Sequence, residues 1–374
     1  MTAKSALAEA LSDAVAPHFA RLVAAARSRD ADSLAVPPDA ASIATMVDAA
    51  FWASLRREEG YVPTISLAYL SPEHTASAIR FARPLTLEAS TLTKIAPAVE
   101  RPGVHLAVWP SNGQLSVWGT TRDLPNFCFV LEVITPGLLV VKHSRAESSG
   151  KFINVAILEG DQIKVLNEGA AGLPDCPGVV TSLLGFEPAA ASGSTGILVQ
   201  IVVSMRDHGR GGLLLIVPRN NDWQECILQP VPYAVTPPFS ELAELAAKRR
   251  DHDQIWQDAL RRSVAMVAGL TAVDGATILS TDYELLAFGA KIGRRQHSPR
   301  VEQLMVTEPI VGSTPEVMNP AQLGGTRHIS AAQFIHDQRD SVALVASQDG
   351  RFTVLAWSSC ENMVHAHRVE ALLL

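Results

Sequence analysis

Between residues 62 and 231 the chain is a succession of short β-branched or aromatic runs, each cut off within a few positions by turn residues. "HLAVWPSNGQLSVWGT", "FCFVLEVITPGLLVVKHS" and "FINVAILEGDQIKVL" set the pattern. Such runs fall below the usual helix length and suit a pleated surface, so they predict a sheet-rich region. The first two strands flank Ser111-Asn112-Gly113, and the Asn-Gly step predicts a tight hairpin because both positions tolerate positive φ. "EPAAASGSTG" at 187–196 reads as a small-residue loop within this region. No Lys-Ser or Lys-Thr follows it, so it is not a phosphate loop.

Helical signals bracket the sheet. Residues 5–27 carry Leu7, Leu11, Val15, Phe19 and Leu22 at helical spacing, with Pro17 as an interruption. Asp39 predicts the N-cap of a second helix, with Ile43, Val47, Phe51 and Leu55 on one stripe. Thr236-Pro237-Pro238 predicts an extended linker. Ser240 then caps one long helix with Leu242, Leu245, Trp256, Leu260, Val264 and Val267 at helical intervals and a solvated "KRRDHDQ" middle. Beyond it come strands at "AVDGATIL" and "LLAFGAKI", a loop over 293–320, a helix at "ISAAQFIHDQ" and strands at "SVALVAS" and "RFTVLAW". The expected architecture is an α+β region over 1–236, joined by the long helix to an α/β domain over 240–374 with a central mixed sheet.

At 374 residues the chain exceeds one typical core, which agrees with two domains. A net charge of −7 argues against nonspecific nucleic-acid binding, which needs a basic face. Cys128, Cys176, Cys226 and Cys360 form no CxxC pair, so neither a zinc knuckle nor a dithiol motif is signalled. The N-terminus lacks a basic start followed by an apolar run, and no stretch approaches the ~18 apolar residues of a membrane span. A cytoplasmic protein with no membrane partner is expected.

The chemistry concentrates in "GGTRHISAAQF", 324–334. A helix start offers unpaired backbone N–H groups and the positive end of a dipole, which together attract anions. Gly324 and Gly325 let an oxyanion approach the backbone, Thr326 adds a hydroxyl, Arg327 a planar fork, and His328 a donor or metal ligand. A tight turn with a surface Arg and His fits the same residues. Asp274-Gly275-Ala276 sets a carboxylate beside two minimal side chains at a strand start, and Ser347-Gln348-Asp349-Gly350 sets a hydroxyl and a carboxylate at a strand end. Each also reads as an ordinary turn.

Taken in order, "DGA" at 274–276, "GTRH" at 325–328 and "SQDG" at 347–350 resemble the diadenylate cyclase domain, found in the DNA-integrity-scanning cyclase and its membrane-bound and sensor-fused relatives. The resemblance covers roughly 255–360. It implies that Asp274 sits by the ribose and a divalent metal, Mg²⁺ or Mn²⁺, with Asp349 as a second metal ligand. Gly275 and Ala276 would line the nucleotide floor, and Ile292 would pack on adenine. Gly325, Thr326, Arg327 and Ser347 would hold the triphosphate, with His328 supporting phosphates or metal. The implied reaction condenses two ATP into cyclic di-AMP, and because one domain holds one ATP it requires self-association. Two positions depart from the family pattern: Ile329 stands where a second arginine is expected, and Gln348 where an acid is. A nucleotide-binding domain without turnover, or an interaction protein on the same fold, therefore stands beside the cyclase reading.

The stretch "RDHGRGGLLLIVP" at 206–218 resembles the sensor domains fused to some such cyclases, which implies a sensor, with an unknown ligand, over 1–236. Its His208-Gly209-Arg210-Gly211-Gly212 reads as a loop between two apolar strands, either an anion-binding turn or a flexible hairpin. His365 and His367 share one face of a strand without a third metal ligand nearby in sequence. Arg294, Arg295, His297 and Arg300 form a basic run expected to be solvated and mobile.

Overall fold

The computed structural model describes residues 6–27, 34–75, 77–144, 152–167, 177–183, 194–220, 222–248 and 253–374. Cys176, most of the 187–196 loop and residues 249–252 of the "KRRDHDQ" segment lie outside them. The chain divides into two compact units, Met1–Leu166 with Leu374, and Asn167–Leu373.

The first unit opens with helices α1 (Ala6–Arg27) and α2 (Ala40–Ser54). The Asp39 carboxylate accepts from Ser42 N at 2.7 Å, as an N-cap should. α1 runs through Pro17 without a break; the proline lies on the exposed side, while Leu11, Val15, Phe19 and Val23 are buried on the other. Burial of that stripe offsets the lost hydrogen bond.

There follow β1 (Ile65–Tyr69), β2 (Ala78–Thr86), α3 (Ala89–Ile95), β3 (His105–Ser111), β4 (Gln114–Thr121), β5 (Phe129–Thr135), β6 (Leu138–Ser144), β7 (Phe152–Glu159) and β8 (Gln162–Val165). They form one mixed sheet in the order β2-β4-β3-β1-β5-β6-β7-β8, in which β1 and β3 run parallel. Asn112 and Gly113 adopt φ of 52° and 79° and close the β3–β4 hairpin where the sequence placed it. One sheet face packs on α1, α2 and α3 through Leu67, Leu106, Phe129 and Leu131, and alternate residues such as Ala68, Ala107 and Val130 face the other way.

The second unit holds α4 (Gly178–Leu183), α5 (Ser194–Asp207), β9 (Gly212–Val217), β10 (Tyr233–Phe239), α6 (Glu241–Ala247), α7 (Gln254–Leu270), β11 (Ala276–Ser280) and β12 (Leu285–Ala290). β13 (Leu304–Thr307), β14 (Glu316–Met318), α8 (Pro320–Leu323), α9 (Thr326–Asp337), β15 (Val342–Ala346), β16 (Phe352–Ser358) and β17 (Met363–Arg368) complete it. Its mixed sheet runs β10-β12-β11-β9-β15-β16-β17-β13-β14. β9 is buried along its whole length, with Leu214 and Ile216 facing α5, α6 and α7 and Leu213, Leu215 and Val217 facing α9. The sheet is thus covered on both faces.

Several expectations are corrected here. The boundary falls at 166/167, not at 236/240, because β9 and β10 hydrogen-bond into the second sheet. Pro237 and Pro238 lie in β10, an edge strand with an irregular register against β12, where a missing N–H leaves no ladder partner bare. The single helix expected after Ser240 is two, and the side chain that caps is Asp253, which accepts from Ile255 N at 2.9 Å. Neither helix joins the units; both belong to the second. The apolar run before residue 208 is helix α5 rather than a strand, and the 293–320 loop contains the short strands β13 and β14.

Candidate functional site

Gly212 at the start of β9 pairs with Ala346 at the end of β15, and Ala276 at the start of β11 pairs with Ala290 at the end of β12. These four strand ends and the first turn of α9 enclose a cavity of about 430 Å³. Its walls include Asp274, Gly275, Ala276, Ile292, Gly325, Thr326, Arg327, His328 and Ser347. Three segments up to seventy-odd residues apart therefore meet at one place.

Gly275 makes the floor possible. Its φ is 120°, and a Cβ there would stand 2.5 Å from the Gly289 carbonyl carbon, so β11 and β12 approach more closely than any side chain allows. Asp274 precedes it at the mouth, with its side chain 91% exposed and 2.5 Å from Lys291 Nζ. The hydrogen bond from Lys291, its charge and that of Arg327 hold the Asp274 carboxyl below the usual carboxylate range.

α9 begins at Gly325, whose extended backbone supplies no side-chain cap. His328 N donates to Gly325 O at 3.0 Å, so the N–H groups of the residues before it are left for the cavity. His328 itself is only 5% exposed. A Cβ at Gly324 would collide with its ring, and its Nε2 lies 3.3 Å from Thr353 Oγ1. Burial pushes its pKa down to about 4, so near pH 7 it is neutral and fixes the helix start rather than carrying charge. The cation at this end is Arg327.

Arg327 rests on a segment assigned above to the sensor. Gly211, at φ 71°, has Arg327 Nη1 2.9 Å and Gln348 Cγ 3.3 Å from the place of a Cβ, while a Cβ at Gly212 would stand 2.5 Å from Thr271 Oγ1. His208 Nε2 lies 3.2 Å from Thr271 Oγ1, and Gln348 Nε2 donates to Arg210 O at 3.4 Å. The 208–212 loop lies in the second unit and is not a hairpin between strands. It follows α5, leads into β9 and forms the surface under Arg327.

Gly324 and Asp349 are the predicted residues outside the walls, Asp349 being the one expected to bind metal. The Ser347 hydroxyl, then Arg351, whose Nε is 3.4 Å away, hold its carboxyl below the usual range. Among the described residues no three His, Cys, Asp or Glu side chains are grouped to hold a metal. Asp274 is the single exposed carboxylate that the cavity walls could offer to Mg²⁺ or Mn²⁺, and it is paired with Lys291.

Reading the sequence missed Lys291 and Ser330, which also line the cavity. A lysine closing the otherwise apolar strand end "LLAFGAKI" was the available signal for the first. The basic run is exposed, as expected, and is tied at one point: Arg295 N donates to Asp337 Oδ2 at 3.0 Å and its guanidinium pairs with Glu225 at 2.7 Å. His365 and His367 do share a face, with rings 4.0 Å apart and Thr307 Oγ1 within 3.1 Å of both.

The second unit thus has the form of a covered mixed sheet with a cavity at its strand ends. In the first unit, residues 32–122, which span α2 to β4, match the family model described as "Probable sensor domain DACNV", a family linked to diadenylate cyclases. The stretch 206–218 lies outside that match. No curated protein matches the chain. Among the described residues no helix is long and apolar enough to cross a membrane.

Proposed function

We propose that the second unit is a diadenylate cyclase, that its cavity binds ATP, and that the first unit regulates it in response to a ligand. The observation that carries the reading is the convergence of Asp274-Gly275-Ala276, Gly325-Thr326-Arg327 and Ser347 on one cavity of about 430 Å³, within the size range of small-molecule sites. A sensor-type first unit supports it independently.

In this reading the α9 start, Thr326, Arg327 and Ser347 hold the triphosphate, while Gly275 and Ala276 let the sugar lie against the backbone and Ile292 packs on the base. Two cavities from two copies meet face to face. Each 3′-hydroxyl attacks the α-phosphorus of the other ATP, forming a P–O bond as the bond to pyrophosphate breaks, with the hydroxyl proton passing to solvent. Asp274 would hold Mg²⁺ or Mn²⁺, which would supply neutralisation of the charge developing on the phosphates. The protein contributes alignment and electrostatic stabilisation.

The test is product analysis by mass spectrometry after incubation of the full chain with ATP and Mn²⁺. Cyclic di-AMP and two equivalents of pyrophosphate are expected, and Asp274→Asn or Arg327→Ala should reduce the product at least about a hundred-fold. Ile329 and Gln348 favour one second reading, a domain that binds ATP without turnover. Calorimetric ATP binding with no pyrophosphate released under any divalent ion would establish it against the cyclase.

A further inference from the structure

We infer that Lys291 is a phosphate-binding residue of the cavity, and that its ion pair with Asp274 is a pair poised for exchange: the ammonium passes to a polyphosphate and the freed carboxylate to a divalent cation. The inference rests on the nucleotide reading of the cavity and adds to it a residue that the sequence motifs do not assign.

Position comes first. Lys291 directly follows β12, and its carbonyl accepts from Leu228 N at 2.8 Å, while Gly293 N donates to Cys226 O at 2.8 Å. The backbone on either side of Ile292 is thus tied to a neighbouring segment, which fixes the Lys291 Cα at the mouth. Its side chain lines the same cavity as Arg327 and Thr326.

Charge makes the second argument. The cavity walls carry two basic side chains, Arg327 and Lys291, against one acid, Asp274. Ile329 takes the place of a cation one residue beyond His328. With Lys291 neutralised by Asp274, Arg327 alone would face a triphosphate. With Lys291 released, two cations face it and Asp274 is exposed for a metal ion.

Exchange requires a weak pair, and this one is open. The side chains are 48% and 91% exposed, a setting in which ion pairs contribute little and partners are readily replaced by solvent or ligand. A lysine stem with several rotatable bonds can swing its ammonium without moving the pinned backbone.

A purely structural strand-end clamp makes a different prediction, because removing either partner would then have the same effect. The experiment is ATP binding to the full chain by calorimetry, in EDTA and again with Mg²⁺, for wild type, Lys291→Met, Lys291→Arg and Asp274→Asn. In EDTA, Lys291→Met should weaken binding about ten-fold and Lys291→Arg should largely restore it, whereas Asp274→Asn should tighten binding several-fold by removing the competing carboxylate. With Mg²⁺ the Asp274→Asn advantage should vanish. Thermal melting checks that each variant folds; should Lys291→Met melt early, Lys291→Gln replaces it in the comparison. Unchanged affinity in the neutral variant, or equal weakening in both charge-removing variants, overturns the inference while leaving the nucleotide reading in place. Absence of ATP binding by wild type overturns the nucleotide reading and this inference with it.

Discussion

The Arg327 guanidinium packs so closely on Gly211 that a Cβ there would stand 2.9 Å from Nη1. The glycine is required twice, since its φ of 71° lies in the left-handed region and its missing side chain leaves room for the arginine. Gly211→Ala should therefore cost about 1–2 kcal/mol of stability from the backbone alone and displace Arg327 from the cavity. The expected result is ATP affinity reduced about ten-fold, read by calorimetry, with a melting shift of only a few degrees. Unaltered affinity would separate Arg327 from the ligand.

Gly275 should be less forgiving. The obstacle to its Cβ is the Gly289 backbone, which cannot swing aside, and the φ of 120° is hostile to any other residue. Gly275→Ala is expected to destabilise the second unit by more than about 2 kcal/mol. Gly325, with nothing within 4 Å and φ of −75°, provides the contrast: Gly325→Ala should change stability by no more than about 1 kcal/mol. Circular dichroism melts of the two variants test the difference.

Ile329→Arg together with Gln348→Glu would introduce the charges that the resembled cyclase pattern carries at these two positions. Under the cyclase reading the double variant should raise turnover about ten-fold or more, measured as pyrophosphate release at saturating ATP. A decrease would mean that Lys291 and the Gln348–Arg210 contact already serve this site better than the family's residues would.

Buried histidines set a pH dependence. Burial is the main cause that pushes His328 and His105 down to about 4 and His367 to about 3. Each folded-state pKa lies below the unfolded value of 6.5, so the unfolded chain binds more protons and stability falls as pH drops below 6.5 toward 4. The loss per histidine approaches about 1.4 kcal/mol per pH unit within that window. Melting temperature should be flat from pH 8 to 7 and fall steeply below 6. His328→Gln should flatten part of that slope, and an unchanged slope would show that His328 titrates normally.

What the sequence revealed follows from the range of the forces involved. Asp39 and Asn112-Gly113 are local signals, a cap and a turn whose backbone angles are set within four residues, and both were legible. The motif positions 274–276, 325–328 and 347 were singled out through resemblance, and the structure brings them to one cavity. The α5 run "GILVQIVVSMRD" was misread because a continuous apolar stretch carries neither period clearly. Pro237-Pro238 was misread because proline is equally at home in a linker and on a sheet edge. Lys291 left only the weak local mark of a lysine at an apolar strand end, and the 208–212 loop was legible as a loop but not as part of this site. They reach the site through β12 and β9, and strand pairing over such separations leaves no mark in a single sequence.

β9 occupies the middle of the second sheet, although it lies more than fifty residues upstream of the first motif. A fragment starting at 240 would lack that central plank, leaving β11 and β15 with bare edges and Arg327 with nothing beneath it. The seam at which one N-terminal module could be exchanged for another is therefore near residue 167, and the elements of the second sheet must travel as a single inheritance.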